Sequence, residues 1–484
     1  MSQHDQVFNL LIISDLHLGE DIKPHSKTEY LRHVLILERE LEAFLDHYTK
    51  YRLDGRPWRL IVNGDMVDFL GVCLLPQKGE AEPDDEDVTP DDRVYGLGAR
   101  PHFARKKMQK VLERHSGVFR ALARFIGVGN HLSIVVGNHD VEFHWPIVQE
   151  TFREGIAKLW AEDPSAERPG RRPVSEIASA IAFHPWFFFE ENVVWVEHGH
   201  QYDEYCSFDY VLNPVLPKDE EICMNVGAAG LRYVANQVEG SYVAQQEDWS
   251  FFGYVRWALA MGAHGIAKMA RNYFAMASRL LSLWRVQVKQ PEAVEARRRT
   301  HRERLSALAA QCKLSEETLV ALDSLRRRPI VLNFAKLLMA IMLDRLLVAV
   351  TAVVLVLVLV LALPWSWAIG SVSAVLGFAW ATNWALSMAR GNVDPVGSMA
   401  TVPREIRRLT RAPYVVFGHS HDPLALKLED GGWYFNTGTW VATEKPGILR
   451  AFTHLLIRHG ENGPQAALCQ WRDGRSRVLD PEHK

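Results

Sequence analysis

Short apolar runs that stop at glycine, aspartate or histidine recur along this chain of 484 residues. They are VFNLLIISDLH (Val7 to His17), RLIVNGDMVD (Arg59 to Asp68), LSIVVGNHD (Leu132 to Asp140), NVVWVEHGH (Asn192 to His200), YVVFGHSH (Tyr414 to His421) and GWYFNTGTW (Gly432 to Trp440). Continuous aliphatic and β-branched runs of this length predict strands buried on both faces. Between the first three, YLRHVLILERELEAFLDHYTKY (from Tyr30) and ARKKMQKVLERHSGVFRALARFI (from Ala104) repeat apolar residues at i, i+3 and i+4 with charge opposite, the pattern of a helix packed on a core. Strands alternating with helices predict an α/β fold, whose sites gather at the carboxyl ends of its strands.

The pattern changes between about Tyr205 and Arg411. WSFFGYVRWALAMGAHGIAKMARNYFAMASRLLSLWRV (from Trp249) is a long aromatic-rich helix that either lies on a membrane surface or packs on the rest of the protein. PEAVEARRRTHRERLSALAAQ and KLSEETLVALDSLRRR read as charged, solvated helices. Two uncharged runs follow, Leu346 to Leu363 and Ala368 to Ala389, separated by PWSW. At about 1.5 Å per residue the first spans roughly 27 Å, near the thickness of a bilayer core. The pair predicts a two-span transmembrane hairpin. Arg326 to Arg328, Lys336 and Arg345 precede it, Arg390, Arg404, Arg407, Arg408 and Arg411 follow it, and the turn between the spans is uncharged. The positive-inside rule then places both termini in the cytoplasm, with the protein in the inner or plasma membrane. The expected division is 1–204, a helical insertion 205–345, the hairpin 346–389 and a returning segment 390–484.

Composition narrows the function. A net charge of -3 gives no basic excess for nucleic acid. Cys73, Cys206, Cys223, Cys312 and Cys469 form no C-x-x-C pair, which argues against a disulfide framework or a cysteine zinc site and fits a reducing compartment. The opening residues read as a first strand, not a signal peptide. The acidic stretch 77–92 reads as a solvated loop or a lid, and 161–176 as a polar connector.

The strand ends carry the chemistry. They supply Asp15 and His17, then Asp65 and Asp68, then Asn138, His139 and Asp140, then His198 and His200, then His419 and His421. Residues two apart on a strand share a face, so Asp15 and His17 are expected to reach one ion together. Carboxylates, imidazoles and an amide oxygen make a mixed O/N set suited to Mn²⁺, Fe or Zn²⁺, with ligands enough for two ions.

The ordered set DLH, GDMVD, GNHD, HGH and GHSH resembles the calcineurin-like metallophosphoesterase superfamily over about Phe8 to His200 and Tyr414 to Trp440. The resemblance implies a β-sandwich flanked by helices and a dinuclear, metal-dependent phosphohydrolase that uses a metal-activated hydroxide. It implies Asp15, His17 and His421 on one ion, Asn138, His198 and His419 on the other, Asp65 bridging, His139 on the phosphate and leaving group, Asp140 orienting His139, and Asp68 in support. His200 either touches substrate phosphate or is a supporting histidine. Gly64, Gly137 and Gly418 would permit the turns. The substrate is expected to be a phosphorylated small molecule or a lipid-linked phosphate. UDP-2,3-diacylglucosamine pyrophosphatases are similar too, but that family has arginine in place of His139 and aspartate in place of His200. A non-catalytic membrane scaffold would have lost ligands, and none is missing here.

Overall fold

The computed structural model describes residues 7–23, 28–76, 88–216, 220–237, 260, 262–390, 401–441, 451–461 and 463–479. They form a mixed α/β structure with two sheets and a helical region that contains two apolar helices. The strands are β1 (Asn9–Ile13), β2 (Trp58–Asn63), β3 (His131–Val135), β4 (Ile181–His184), β5 (Phe187–Glu190), β6 (Val194–Glu197), β7 (Tyr414–Phe417), β8 (Leu424–Lys427), β9 (Trp433–Asn436), β10 (Thr453–Gly460), β11 (Gly463–Arg472) and β12 (Arg475–Val478). The first sheet runs β12-β11-β10-β1-β2-β3-β4 and the second β5-β6-β7-β9-β8. β1 to β4 are parallel, as are β6, β7 and β9, so the carboxyl ends within each set lie at one edge.

Alternation along the strands builds the layers. Leu10, Ile12 and Ile61 face Val194, Val196 and Val416 in a core between the sheets. Leu11, Ile13, Leu60 and Val62 face the other way and pack with Phe44, Phe119, Phe125 and Phe152 of the covering helices. On the far side, Trp195, Val415 and Phe417 pack against Leu305, Ala309, Leu319, Leu322 and Ile406. The order is helix, sheet, sheet, helix.

Several expectations change. The second helical pattern is two helices, Pro101–Arg114 and Ser116–Gly127, broken at His115, where Glu38 and Asp21 hold the ring at 2.7 and 3.3 Å. The helices Pro291–Cys312 and Glu316–Asp323 are not merely solvated: their narrow apolar stripes form the outer layer over the second sheet. Even Arg297 is buried there, with its guanidinium donating to Cys223 Sγ at 3.1 Å and lying over the Tyr210 ring. The helix Gly262–Lys289 packs on the domain through Met276, Ala277, Leu280 and Leu283, while Ile266, Phe274 and Val288 stay exposed. Most of the acidic stretch 77–92, and the start of the aromatic-rich segment, lie outside the described residues. The end of the acidic stretch is a short helix, Pro90–Tyr95, whose buried Asp92 pairs with Arg232 at 2.8 Å.

The two apolar helices are Leu343–Ala362 and Trp365–Arg390, separated by Leu363 and Pro364 and packed on each other. The first begins a turn earlier than the uncharged run, taking in Asp344 and Arg345 at its foot. Both are long and apolar enough to cross a membrane. Their large side chains face outward, with Leu361 86% and Phe378 77% exposed, an apolar surface that water would not tolerate at this extent. The full chain is therefore expected to stay in the membrane fraction after an alkaline carbonate wash and to need detergent for release. Recovery in the soluble fraction would show that protein, not lipid, covers this face.

Candidate metal centre

Six of the seven sequence-predicted ligands, Asp15, His17, Asp65, Asn138, His198 and His421, come together past the carboxyl ends of the strands, and the His419 ring lies beside His198 at 5.3 Å between centroids. They do so by a different route from the one expected. β1 ends at Ile13 and β7 at Phe417, so neither Asp15 and His17 nor His419 and His421 lie on a strand. Instead Asp15, His17, Asp65, His419 and His421 all adopt left-handed backbone, with φ of 56, 48, 53, 66 and 58°. They are five of the twelve described non-glycine residues with positive φ. Such conformations are costly for residues with a Cβ and persist only where the surroundings fix them. The loop that follows β2 supplies that fixing for the first pair: Leu16 and His17 N–H both donate to the Asp65 carbonyl, and Asp15 N–H to that of Gly64.

Glycine is required here chiefly by crowding. A Cβ on Gly64 would sit 2.2 Å from His198 Nδ1, and one on Gly137 2.2 Å from Asp65 Oδ1. Of the three glycines expected to allow turns, only Gly64 takes a left-handed φ; Gly137 and Gly418 give room to carboxylates.

The ligand atoms fall into overlapping groups. Asp15, His17 and His421 form one, Asp15, Asp65 and His198 another, and His17, Asp65 and His139 a third, each within 4.8 Å. His421 Nε2 lies 3.2 Å from Asp15 Oδ1 and 3.3 Å from His17 Nε2. His198 Nε2 lies 3.2 Å from both Asp65 Oδ2 and Asn138 Oδ1. The same imidazole donates from Nδ1 to the Asn63 carbonyl at 2.8 Å. A neutral His198 would therefore aim a lone pair at two oxygen acceptors. The geometry calls for positive charge at that point, either a proton or a cation, so this donor set fits a metal ion.

Electrostatics agrees. Burial disfavours charge on Asp15, Asp65 and Asp68, yet the facing histidines outweigh it and hold all three carboxyls below the ordinary range. Burial likewise opposes protonation of His198 and His139, but Asp65 on the first and Asp68 with Asp65 on the second push them up to about 10 and about 9.

Two assignments shift. His139 Nδ1 bonds to Asp68 Oδ1 at 2.9 Å, so Asp68 and not Asp140 is the carboxylate on that ring. Asp140 accepts from the Gly137 and Met66 N–H groups at 2.6 and 2.8 Å and so ties the third loop to the second. Burial, with Asp65 nearby, pushes its carboxyl up to about 7. His200 is buried, accepts at Nε2 from Gln201 at 2.8 Å, and is kept neutral by burial and by His198 and His419. It packs behind both rings, at 5.4 and 6.5 Å, in a supporting place. Asp203 went unread in the sequence. It lies 3.2 Å from His419 Nε2 and forms a further candidate group with Cys206 and His419. As the first carboxylate after HGH, in HGHQYD, it was open to view.

No family model, curated protein or solved structure matches this chain.

Gly64→Ala is expected to lower the thermal midpoint more than Gly170→Ala. Both glycines have φ near +79°, but only at Gly64 does a Cβ also strike a side chain. The overpacking adds about 1–3 kcal/mol to a left-handed penalty of about 1–2 kcal/mol. Equal midpoints would show that His198 can give way.

Proposed function

We propose that this protein is a membrane-anchored phosphohydrolase of the calcineurin-like metallophosphoesterase type that works with two divalent ions. One observation carries the reading: Asp65, buried and central, belongs both to the group with His17 and to the group with His198. Asp15, His17 and His421 would hold one ion, and Asn138, His198 and His419 the other, with Asp65 shared. The helix, sheet, sheet, helix layering and the ligands at one strand edge support the same reading. The O/N donor set suits Mn²⁺ best, with Fe or Zn²⁺ as alternatives. Two such ions, when bound, supply Lewis acidity to the phosphoryl oxygens and lower the pKa of the attacking water.

The remaining work falls to the chain's own side chains. His139 donates from Nδ1 to Asp68, which leaves Nε2 to give a proton to the leaving oxygen of a phosphate ester or anhydride. Asp68 is itself fixed by the Gly71 N–H at 2.7 Å, so the ring has little freedom to swing. Asp140 keeps the His139 loop beside Asp65, where the His139 N–H donates to Asp65 Oδ1 at 2.9 Å.

The apolar hairpin favours a substrate delivered at a bilayer, such as a lipid-linked phosphate or pyrophosphate. UDP-2,3-diacylglucosamine-type chemistry is the second reading on that ground. The arginines on both sides of the hairpin support a reading with the site and both termini in the cytoplasm.

In detergent, the Mn²⁺-loaded protein is expected to hydrolyse a chromogenic phosphodiester. EDTA should abolish the activity and Mn²⁺ restore it. Asp65→Asn and His139→Ala should each cost about 10²-fold or more while the protein stays folded. Full activity in both variants would overturn the proposal.

A further inference from the structure

His419 sits between two carboxylate-bearing loops. On one side is the His198 ring, 5.3 Å away between centroids, with Asp65 and Asn138 beyond it. On the other is Asp203, whose Oδ2 meets His419 Nε2 at 3.2 Å. A carboxylate accepts only, so the Nε2 proton belongs to this contact and Nδ1 is the ring nitrogen left for a ligand role. His198 shows the mirror arrangement: its Nδ1 proton goes to the Asn63 carbonyl, and Nε2 is the nitrogen left facing the cluster. Each imidazole thus has one nitrogen fixed by an oxygen of the protein.

Asp203 is well placed to do this. It follows the turn His200–Tyr202, and its second oxygen accepts the Tyr205 N–H at 2.9 Å. Its carbonyl accepts from Cys206 and Ser207, which pins the loop. His419 itself has left-handed backbone, and its own N–H donates to Asp15 Oδ2 at 3.2 Å. Main chain and ring are therefore held by different aspartates.

We infer that Asp203 is the positioning residue of the second ion site: it fixes the His419 tautomer and ring so that Nδ1 is presented beside Asp65, Asn138 and His198. The inference rests on the two-metal reading above. Carboxylates that orient a ligating histidine are typically worth roughly ten- to a hundredfold in metal affinity. The cost should fall on one ion only, because Asp15, His17 and His421 have no part in the Asp203 contact.

The test is Mn²⁺ binding by the full-length protein in detergent, read by metal content and by electron paramagnetic resonance. The wild type is expected to bind two ions and to show a spin-coupled dimanganese signal. Asp203→Ala should weaken one of the two ions by roughly ten- to a hundredfold and leave a mononuclear six-line signal at limiting metal. Asp203→Asn, whose amide oxygen can still accept the Nε2 proton, should recover part of the loss. Two ions bound with wild-type affinity in Asp203→Ala would overturn the inference and leave the two-metal reading intact. A wild type that binds no Mn²⁺ would overturn both. A Co²⁺-loaded protein provides a further check. A thiolate charge-transfer band that disappears in Cys206→Ser would mean that Asp203 and Cys206 bind an ion directly with His419, and that outcome also refutes the positioning role.

Discussion

Negative charge in a place that water does not reach is the constraint on which this structure turns. Asp15, Asp65 and Asp68 are each 1% exposed or less, and all three lie within reach of His17. Buried carboxylates of one sign repel, and each has lost its hydration, so the arrangement is tolerable only if positive charge is supplied among them. The local backbone serves that requirement. Five left-handed residues, all past the ends of their strands, turn their side chains into the cluster. Glycines at 64, 137 and 418 clear the space into which His198, Asp65 and Asp15 press. The N–H groups of His419, His139 and Gly71 donate to Asp15, Asp65 and Asp68 and hold the three carboxylates in place.

Much of this was legible in the sequence because the central strands are buried on both faces. Such strands write themselves as unbroken apolar runs, and the polar residue that ends each run marks the site edge. The C-terminal strands β10, β11 and β12 were not legible for the complementary reason. They form a half-exposed antiparallel hairpin system in which apolar and polar residues mix, so THLLIRHG and GPQAALCQWR show no clean run. Asp15, His17, Asp65, His198 and His421 do lie together, as the sequence pattern suggests, but for a different geometric reason. Spacing by two suggested a shared strand face, whereas the convergence comes from left-handed turns past the strand ends. Asp203 escaped because it ends no strand. The partnership of His139 with Asp68 rather than its neighbour Asp140 depends on a contact 71 positions apart, which local spacing does not encode.

The long insertion is also less separate than its composition implies. Leu305, Ala309, Leu319 and Leu322 close the outer face of the second sheet, beside Ile406 from the helix that follows the hairpin. The apolar hairpin is thus bracketed in sequence by elements that complete the layered fold. Tyr273 ties the covering helix to the hairpin's base through the Ile341 carbonyl at 2.8 Å. Removing the insertion as a unit would strip the second sheet of its cover and expose Trp195 and Phe417, so the insertion and the layered fold share one packing problem.

The contact between His17 and His421 spans 404 positions, and both apolar helices lie inside that interval. This separation sets an order of events during synthesis. The ribosome releases Asp15, His17, Asp65, Asn138 and His198 first, then the two apolar helices, and only afterwards His419, His421 and the strand β10 that pairs with β1. Domains assemble as their elements emerge, and pairings between distant segments close last. The nascent chain therefore carries a half-built, anionic cluster until its tail arrives. A bilayer, if it receives the hairpin, does so before the centre exists. On that schedule the two apolar helices are available for burial before the cluster of His17 and His421 can close.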